Sequence, residues 1–224
     1  MAEKPLKKAI ADRERPREIQ RVLEIIRILR REYPEAKCSL DFETPFQLVA
    51  ATILSAQCTD ERVNRVTPAL FARFPTAEKM AKATLQQIEE LIRTTGFFRN
   101  KALSLKEMSR SIRDDYGGEV PRELEKLVKL RGVGRKTANV VLGVAYGIPG
   151  MVVDTHIGRL SRRLGLTRKK NPVHVEQDLM KLVPQADWTE WGHLLIHHGR
   201  AICTARRADC ENCPISLYCP KVGV

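Results

Sequence analysis

Residues Leu130 to Asp154 read LRGVGRKTANVVLGVAYGIPGMVVD, and this stretch decides the fold. Gly132 and Gly134 flank Val133, and Thr137, Ala138, Val141, Leu142 and Ala145 follow at helical spacings. Upstream, Leu124, Leu127 and Val128 give Pro121 to Leu130 an apolar side. The segment therefore predicts helix, short glycine turn, helix. Such a turn lays backbone N–H groups and a helix N-terminus against a phosphate. Glycine carries no Cβ, so the phosphate approaches closely. Lys126, Lys129, Arg131, Arg135 and Lys136 surround the turn with positive charge. On local pattern alone, an ordinary helical hairpin also fits.

The whole chain is basic. Its 224 residues carry a formal charge of +12 at pH 7, which favours a polyanionic partner. A hydrophobic content of 43% is enough for a sizeable core of one or two domains. Apolar runs are too short to span a membrane, and the N-terminus shows no signal-peptide pattern. The expectation is a cytoplasmic protein without membrane association. Residues 1–16 are basic and polar with little periodicity. They predict a flexible extension, either a DNA-contacting arm or merely a solvated tail.

The rest of the chain is helical pattern. Ile19, Val22, Leu23, Ile26 and Leu29 form a first apolar stripe, which starts near Arg17. Thr44 with Gln47, and Thr84 with Gln87, have capping-box spacing. Strand signals are almost absent. After the apolar run to Leu54, the chain turns polar through Ser55, Ala56, Gln57 and Cys58. The Gln57 amide suits an orphaned base, or simply water. Phe97 and Phe98 follow Gly96 and precede Arg99. Aromatics so placed either wedge into a duplex or belong to the core. Six basic residues with no acidic ones run from Arg159 to Lys170 and predict a phosphate-facing patch.

Cys203, Cys210, Cys213 and Cys219 are separated by six, two and five residues. Four thiolates at these spacings hold either a [4Fe–4S] cluster or a tetrahedral zinc. Spacing alone leaves the two open. Arg206 and Arg207 lie between the first two cysteines, where a folded loop would offer them to phosphates. His193 and His197 are four apart on a helical segment, without the flanking Glu of a zinc-protease motif, and read as packing.

LRGVGRKTA followed by VDTHIGRL resembles the endonuclease III family of helix-hairpin-helix DNA glycosylases. LSAQCTD, TTGFFRNKA and the C-terminal cysteines agree with it, so the resemblance runs from about Ile19 to Cys219. It implies an all-α, two-domain helix-hairpin-helix DNA glycosylase fold. Residues 38–148 would be a six-helix barrel with the hairpin at about 121–146. Residues 17–37 with 149–224 would form a discontinuous iron–sulfur domain, and the groove between the two would bring Lys136 near Asp154. The resemblance makes Lys136 the nucleophile and Asp154 the catalytic carboxylate. It puts Gln57 and Phe97 on the DNA, beside the phosphate contacts that the hairpin residues Arg131, Gly132, Val133, Gly134 and Arg135 and the loop residues Arg206 and Arg207 offer by their own chemistry. The cysteine pattern matches the family's iron–sulfur loop, which favours a structural [4Fe–4S] cluster over zinc.

The chemistry needs Lys136 as an uncharged amine, and the helix field with Arg131 and Arg135 beside it works in that direction. Asp154 precedes a periodic Ile157, Leu160 and Leu164, so it stands at a helix start, where a carboxylate is well placed. The implied activity is that of a bifunctional DNA glycosylase and abasic-site lyase acting on oxidised pyrimidines in duplex DNA, as a monomer. An adenine-mismatch glycosylase shares the hairpin, the Asp and the cysteines but typically lacks the Lys. A non-enzymatic hairpin protein has no need for Lys136 and Asp154 together.

Overall fold

The computed structural model describes the backbone of residues 3–224 and the side chains of residues 15–224. In chain order the α-helices are α1 (Glu3–Glu32), α2 (Pro45–Leu54), α3 (Asp60–Arg73), α4 (Ala77–Lys82), α5 (Leu85–Ile92) and α6 (Phe98–Asp115). They continue as α7 (Leu124–Leu127), α8 (Arg135–Tyr146), α9 (Thr155–Arg163), α10 (Pro172–Leu179) and α11 (Trp188–Ala201). The only β pairing among the described residues is an isolated bridge between Cys203 and Ala208. The fold is all-α.

The chain divides into two compact units, residues 1–37 with 151–224 and residues 38–150. In the second, α2 is buried on most sides and packs against α3, α6 and α8. Its core runs through Leu48, Leu54, Leu70, Met80, Ile88, Leu105 and Met108, all fully buried. In the first, α11 packs against α1 and α9. Val22, Ile25, Ile26 and Leu29 of α1 and Trp191, Leu194 and Leu195 of α11 are closed to solvent.

The helix ends follow local chemistry. Both halves of the capping box at Thr84 and Gln87 form. At α2 only one half does. The Thr44 hydroxyl accepts from the Gln47 N–H, but the Gln47 side chain reaches past Thr44 to the Glu43 N–H, at 2.6 Å. α1 begins at Glu3, whereas the apolar stripe predicted helix only from Arg17. The first half of α1 is rich in Lys, Arg, Glu and Ala, which favour helix without an apolar stripe, and Pro16 sits inside it. The side chains of a DNA-contacting arm at residues 1–14 lie outside the described residues.

The expected helix over Pro121 to Leu130 contracts to Leu124–Leu127. Beyond it the backbone tightens into i→i+3 hydrogen bonds, Lys129 N–H to the Lys126 carbonyl and Leu130 N–H to that of Leu127. This 3₁₀-type geometry places Leu124, Leu127 and Leu130 on the core side, Leu127 and Leu130 fully buried.

Candidate active site

The hairpin turn is built by steric exclusion. Gly132 has φ of 82°, in the left-handed region that side chains avoid. A Cβ there would lie 3.0 Å from the Ser104 Cβ on α6 and 3.5 Å from Ile53 Cδ1 on α2. Val133 is 5% exposed and pins the turn to the core. Gly134 is the N-cap of α8, with no side-chain capping bond. Gly134 itself offers no side chain to the first-turn N–H groups. Arg131, Arg135 and Lys136 are all exposed around that end. Lys136 is the second residue of α8.

In the other unit, Asp154 is the N-cap of α9. Its Oδ1 accepts from the Ile157 N–H at 2.8 Å, and its Oδ2 faces His156 Nδ1 at 3.4 Å. The carboxylate is 14% exposed, with one oxygen on the first-turn N–H and the other beside His156.

Gln57 and Phe97 share a rare conformation. With Lys221 they are the non-glycine residues of positive φ among the described residues, at 52° and 46°. Gln57 is exposed, and Phe97 is 65% exposed. Phe98 opens α6 and packs against the core. A left-handed backbone at a non-glycine residue costs about 1–3 kcal/mol and persists only where its surroundings impose it.

The four C-terminal cysteines line one cavity with Leu160, Leu164, Ile202 and Ile215. Among the described residues, no three His, Cys, Asp or Glu side chains are gathered tightly enough to hold a single metal ion. The donor set is chemically suited to an iron–sulfur cluster: four thiols around an apolar cavity. Burial pushes the thiols of Cys213 and Cys219 up, which opposes free thiolates there.

The loop is tied down from several sides. Arg21 Nη1 on α1 donates to the carbonyls of Tyr218 at 2.7 Å and Leu164 at 3.0 Å. Arg159 donates to the carbonyls of Gly199 and Cys203, and Arg163 to Cys203 Sγ and the Thr204 carbonyl. Arg159 and Arg163 therefore leave the phosphate-facing patch expected between Arg159 and Lys170. They sit on the inward face of α9, where the carbonyls at the end of α11 demand donors. Arg168, Lys169 and Lys170 remain exposed, as do Arg206 and Arg207.

Two features escaped the sequence reading. Lys101 is 5% exposed and donates to the carbonyls of Leu54 and Thr95. Its signal was in the pattern, since Lys101 shares an apolar stripe with Leu105, Met108 and Ile112. His198, 1% exposed, lies between the Tyr33 hydroxyl at 3.1 Å and Cys213 Sγ at 3.5 Å. Burial pushes its pKa down to about 4 and that of Tyr33 up to about 12. Nothing at the sequence level ties residues 33, 198 and 213 together.

A glycine turn feeding an exposed lysine into the first turn of a helix, in an all-α fold, is a helix-hairpin-helix arrangement. The family model for HhH-GPD superfamily base excision DNA repair proteins matches residues 50–185. Endonuclease III of Synechocystis is 56% identical over 203 residues, 90% of this chain and 93% of its own. A solved non-covalent endonuclease III–DNA complex superposes with a TM-score of 0.85 at 40% identity, over 91% of this chain and 95% of that one. A trapped endonuclease III–DNA covalent intermediate gives the same TM-score at 41% identity, over 91% and 96%. The chain belongs to the endonuclease III family, within the HhH-GPD superfamily of base excision DNA repair proteins. It is a DNA glycosylase with abasic-site lyase activity, and it acts on double-stranded DNA.

Proposed function

We propose that this protein excises oxidised, ring-saturated pyrimidines from duplex DNA and nicks the strand 3′ of the resulting abasic site, through a Schiff base on Lys136. The observation that carries the reading is Lys136 itself, exposed in the first turn of α8 directly after the Gly132–Gly134 turn. The damaged nucleotide is flipped out of the stack. The Lys136 amine attacks C1′ and the base leaves with a proton. The sugar ring then opens at the C1′–O4′ bond, O4′ taking up a proton, and the resulting iminium acidifies the C2′ proton, whose loss to a base expels the 3′ phosphate by β-elimination. Asp154 takes the charge-stabilising role toward the developing cation. Arg131, Arg135 and the backbone of Gly132, Val133 and Gly134 hold phosphates. Arg206 and Arg207 add charge from the cysteine loop, and Gln57 and Phe97 fill the space the flipped nucleotide leaves.

Cys203, Cys210, Cys213 and Cys219 are the proposed ligands of a [4Fe–4S] cluster. Its part is structural, fixing the loop that carries Arg206 and Arg207. Support comes from the four thiols lining one cavity and from their spacing. Residues 38–148 are assigned to a six-helix barrel and residues 17–37 with 149–224 to the cluster domain. That assignment is supported by the division of the chain into 1–37 with 151–224 and 38–150. No helix among the described residues is long and apolar enough to cross a membrane. A monomer in the cytoplasm, bound to chromosomal DNA, fits this chemistry.

The substrate class is tested with a panel of duplexes, each holding one lesion opposite each normal base. Oxidised pyrimidines and abasic sites should be cut, and oxidised purines should not. Preferential cutting at purine lesions would overturn the assignment.

A further inference from the structure

Lys101 occupies the first turn of α6 and faces the core, in register with Leu105 and Met108. An ammonium in that position is costly unless its donors are met. It is met twice by backbone: Nζ donates to the Leu54 carbonyl at 2.8 Å and to the Thr95 carbonyl at 2.7 Å. Burial holds its pKa below the ordinary lysine value, so the two bonds are made at the expense of hydration.

The two acceptors are not arbitrary. Leu54 is the last residue of α2, and three residues on stands Gln57. Thr95 ends the 3₁₀ turn Arg93–Thr95, and two residues on stands Phe97. Those two exposed residues are both left-handed. The last turn of α2 and the second turn of α6 also abut the hairpin, since Ile53 and Ser104 face Gly132. A single buried cation therefore bridges the bases of the two strained loops, behind the surface that carries the hairpin.

We propose that Lys101 is a positioning residue: by bonding the Leu54 and Thr95 carbonyls it holds Gln57 and Phe97 together as one preformed wedge for a paired lesion. The inference rests on the wedge reading of Gln57 and Phe97. A helix C-terminus favours a cation, and a buried cation on two carbonyls fixes their separation more tightly than exchanging water does. The strain at the two loop residues is then carried by the fold before DNA arrives, so flipping does not have to order them.

The test compares base release, in single turnover, from a lesion paired in a duplex and from the same lesion in an unpaired bubble. Lys101→Met should lose about tenfold on the paired lesion and keep close to the parental rate on the unpaired one. Lys101→Gln, which keeps an N–H donor and guards against failure of the first variant to fold, should fall between. Amide exchange in the free protein should quicken at residues 55–58 and 96–98 in both. Added to Gln57→Ala/Phe97→Ala, the Lys101→Met change should cost nothing further on the paired lesion. Equal losses on both substrates, unchanged exchange, or an undiminished extra loss in that background would overturn the proposal. If Gln57→Ala/Phe97→Ala itself loses equally on both substrates, the wedge reading falls and takes this inference with it. If it shows the paired-specific loss while Lys101→Met does not, this inference alone falls.

Discussion

Arg163 donates a hydrogen bond to the sulfur of Cys203 at 3.1 Å, and the same nitrogen reaches the Thr204 carbonyl at 2.7 Å. A basic residue of α9 thus serves the cysteine loop. Arg163→Met should lower unfolding stability by about 1.5–3 kcal/mol, the range for hydrogen bonds to charged groups. Arg206→Ala and Arg207→Ala should leave stability within about 0.5 kcal/mol of the parent, as exposed substitutions do, but reduce the salt dependence of DNA binding by about one unit each. Denaturant titration and salt-dependent binding separate the two behaviours. A salt slope that changes for Arg163→Met but not for Arg206→Ala would reverse the assignment.

The cysteine loop is expected to depend on all four thiols. Cys213→Ser should release iron and loosen the segment from Cys203 to Cys219, because a four-thiolate site loses one ligand. Anaerobically purified parent protein should contain about four irons per chain and absorb near 400 nm. One zinc and no iron would refute the cluster.

The two glycines of the hairpin turn should fail differently. Gly132→Ala places a Cβ against Ser104 at a φ of 82° and should cost about 1–3 kcal/mol of stability. Gly134 has φ of −90° and nothing within 4 Å of an added Cβ. Gly134→Ala should therefore fold normally and lose DNA affinity, the phosphate being the neighbour that a methyl displaces. Melting curves beside binding isotherms decide this. Normal affinity for Gly134→Ala would mean that no phosphate comes close there.

Acid stability should respond to His193. Burial, then the neighbouring His197, pushes its pKa below the ordinary 6.5. The unfolded chain therefore binds a proton, as pH falls below about 6.5, that the folded chain resists, and stability is lost in that direction. His193→Gln should flatten this part of the stability–pH curve. An unchanged slope between pH 7 and 5 would show that the folded imidazole titrates normally.

How much of this was legible in the sequence varies with the physics involved. The hairpin was readable because glycine, periodicity and charge are all local signals. The two capping sites were readable for the same reason, although Gln47 chose the Glu43 N–H over that of Thr44. α1 was cut short because helix propensity without an apolar stripe left no periodic signal over its first half. Arg159 and Arg163 were misassigned because a charge count along one helix does not say which charges face carbonyls from a distant segment. The contact from Tyr33 through His198 to Cys213 joins three remote positions and exists only after folding. Lys101 was visible as a lysine in an apolar stripe, but its acceptors are backbone atoms that no side-chain pattern announces.

Covalent catalysis by Lys136 is the central claim, and borohydride trapping during turnover tests it most directly. Reduction should leave a stable protein–DNA adduct with the parent chain, and peptide mapping should place it on Lys136. Lys136→Gln should form no adduct and make no nick, while its affinity for an abasic-site analogue stays near the parental value, since Arg131, Arg135 and the other basic residues still hold phosphate. An adduct mapped to another residue, or normal trapping and nicking by Lys136→Gln, would contradict the account.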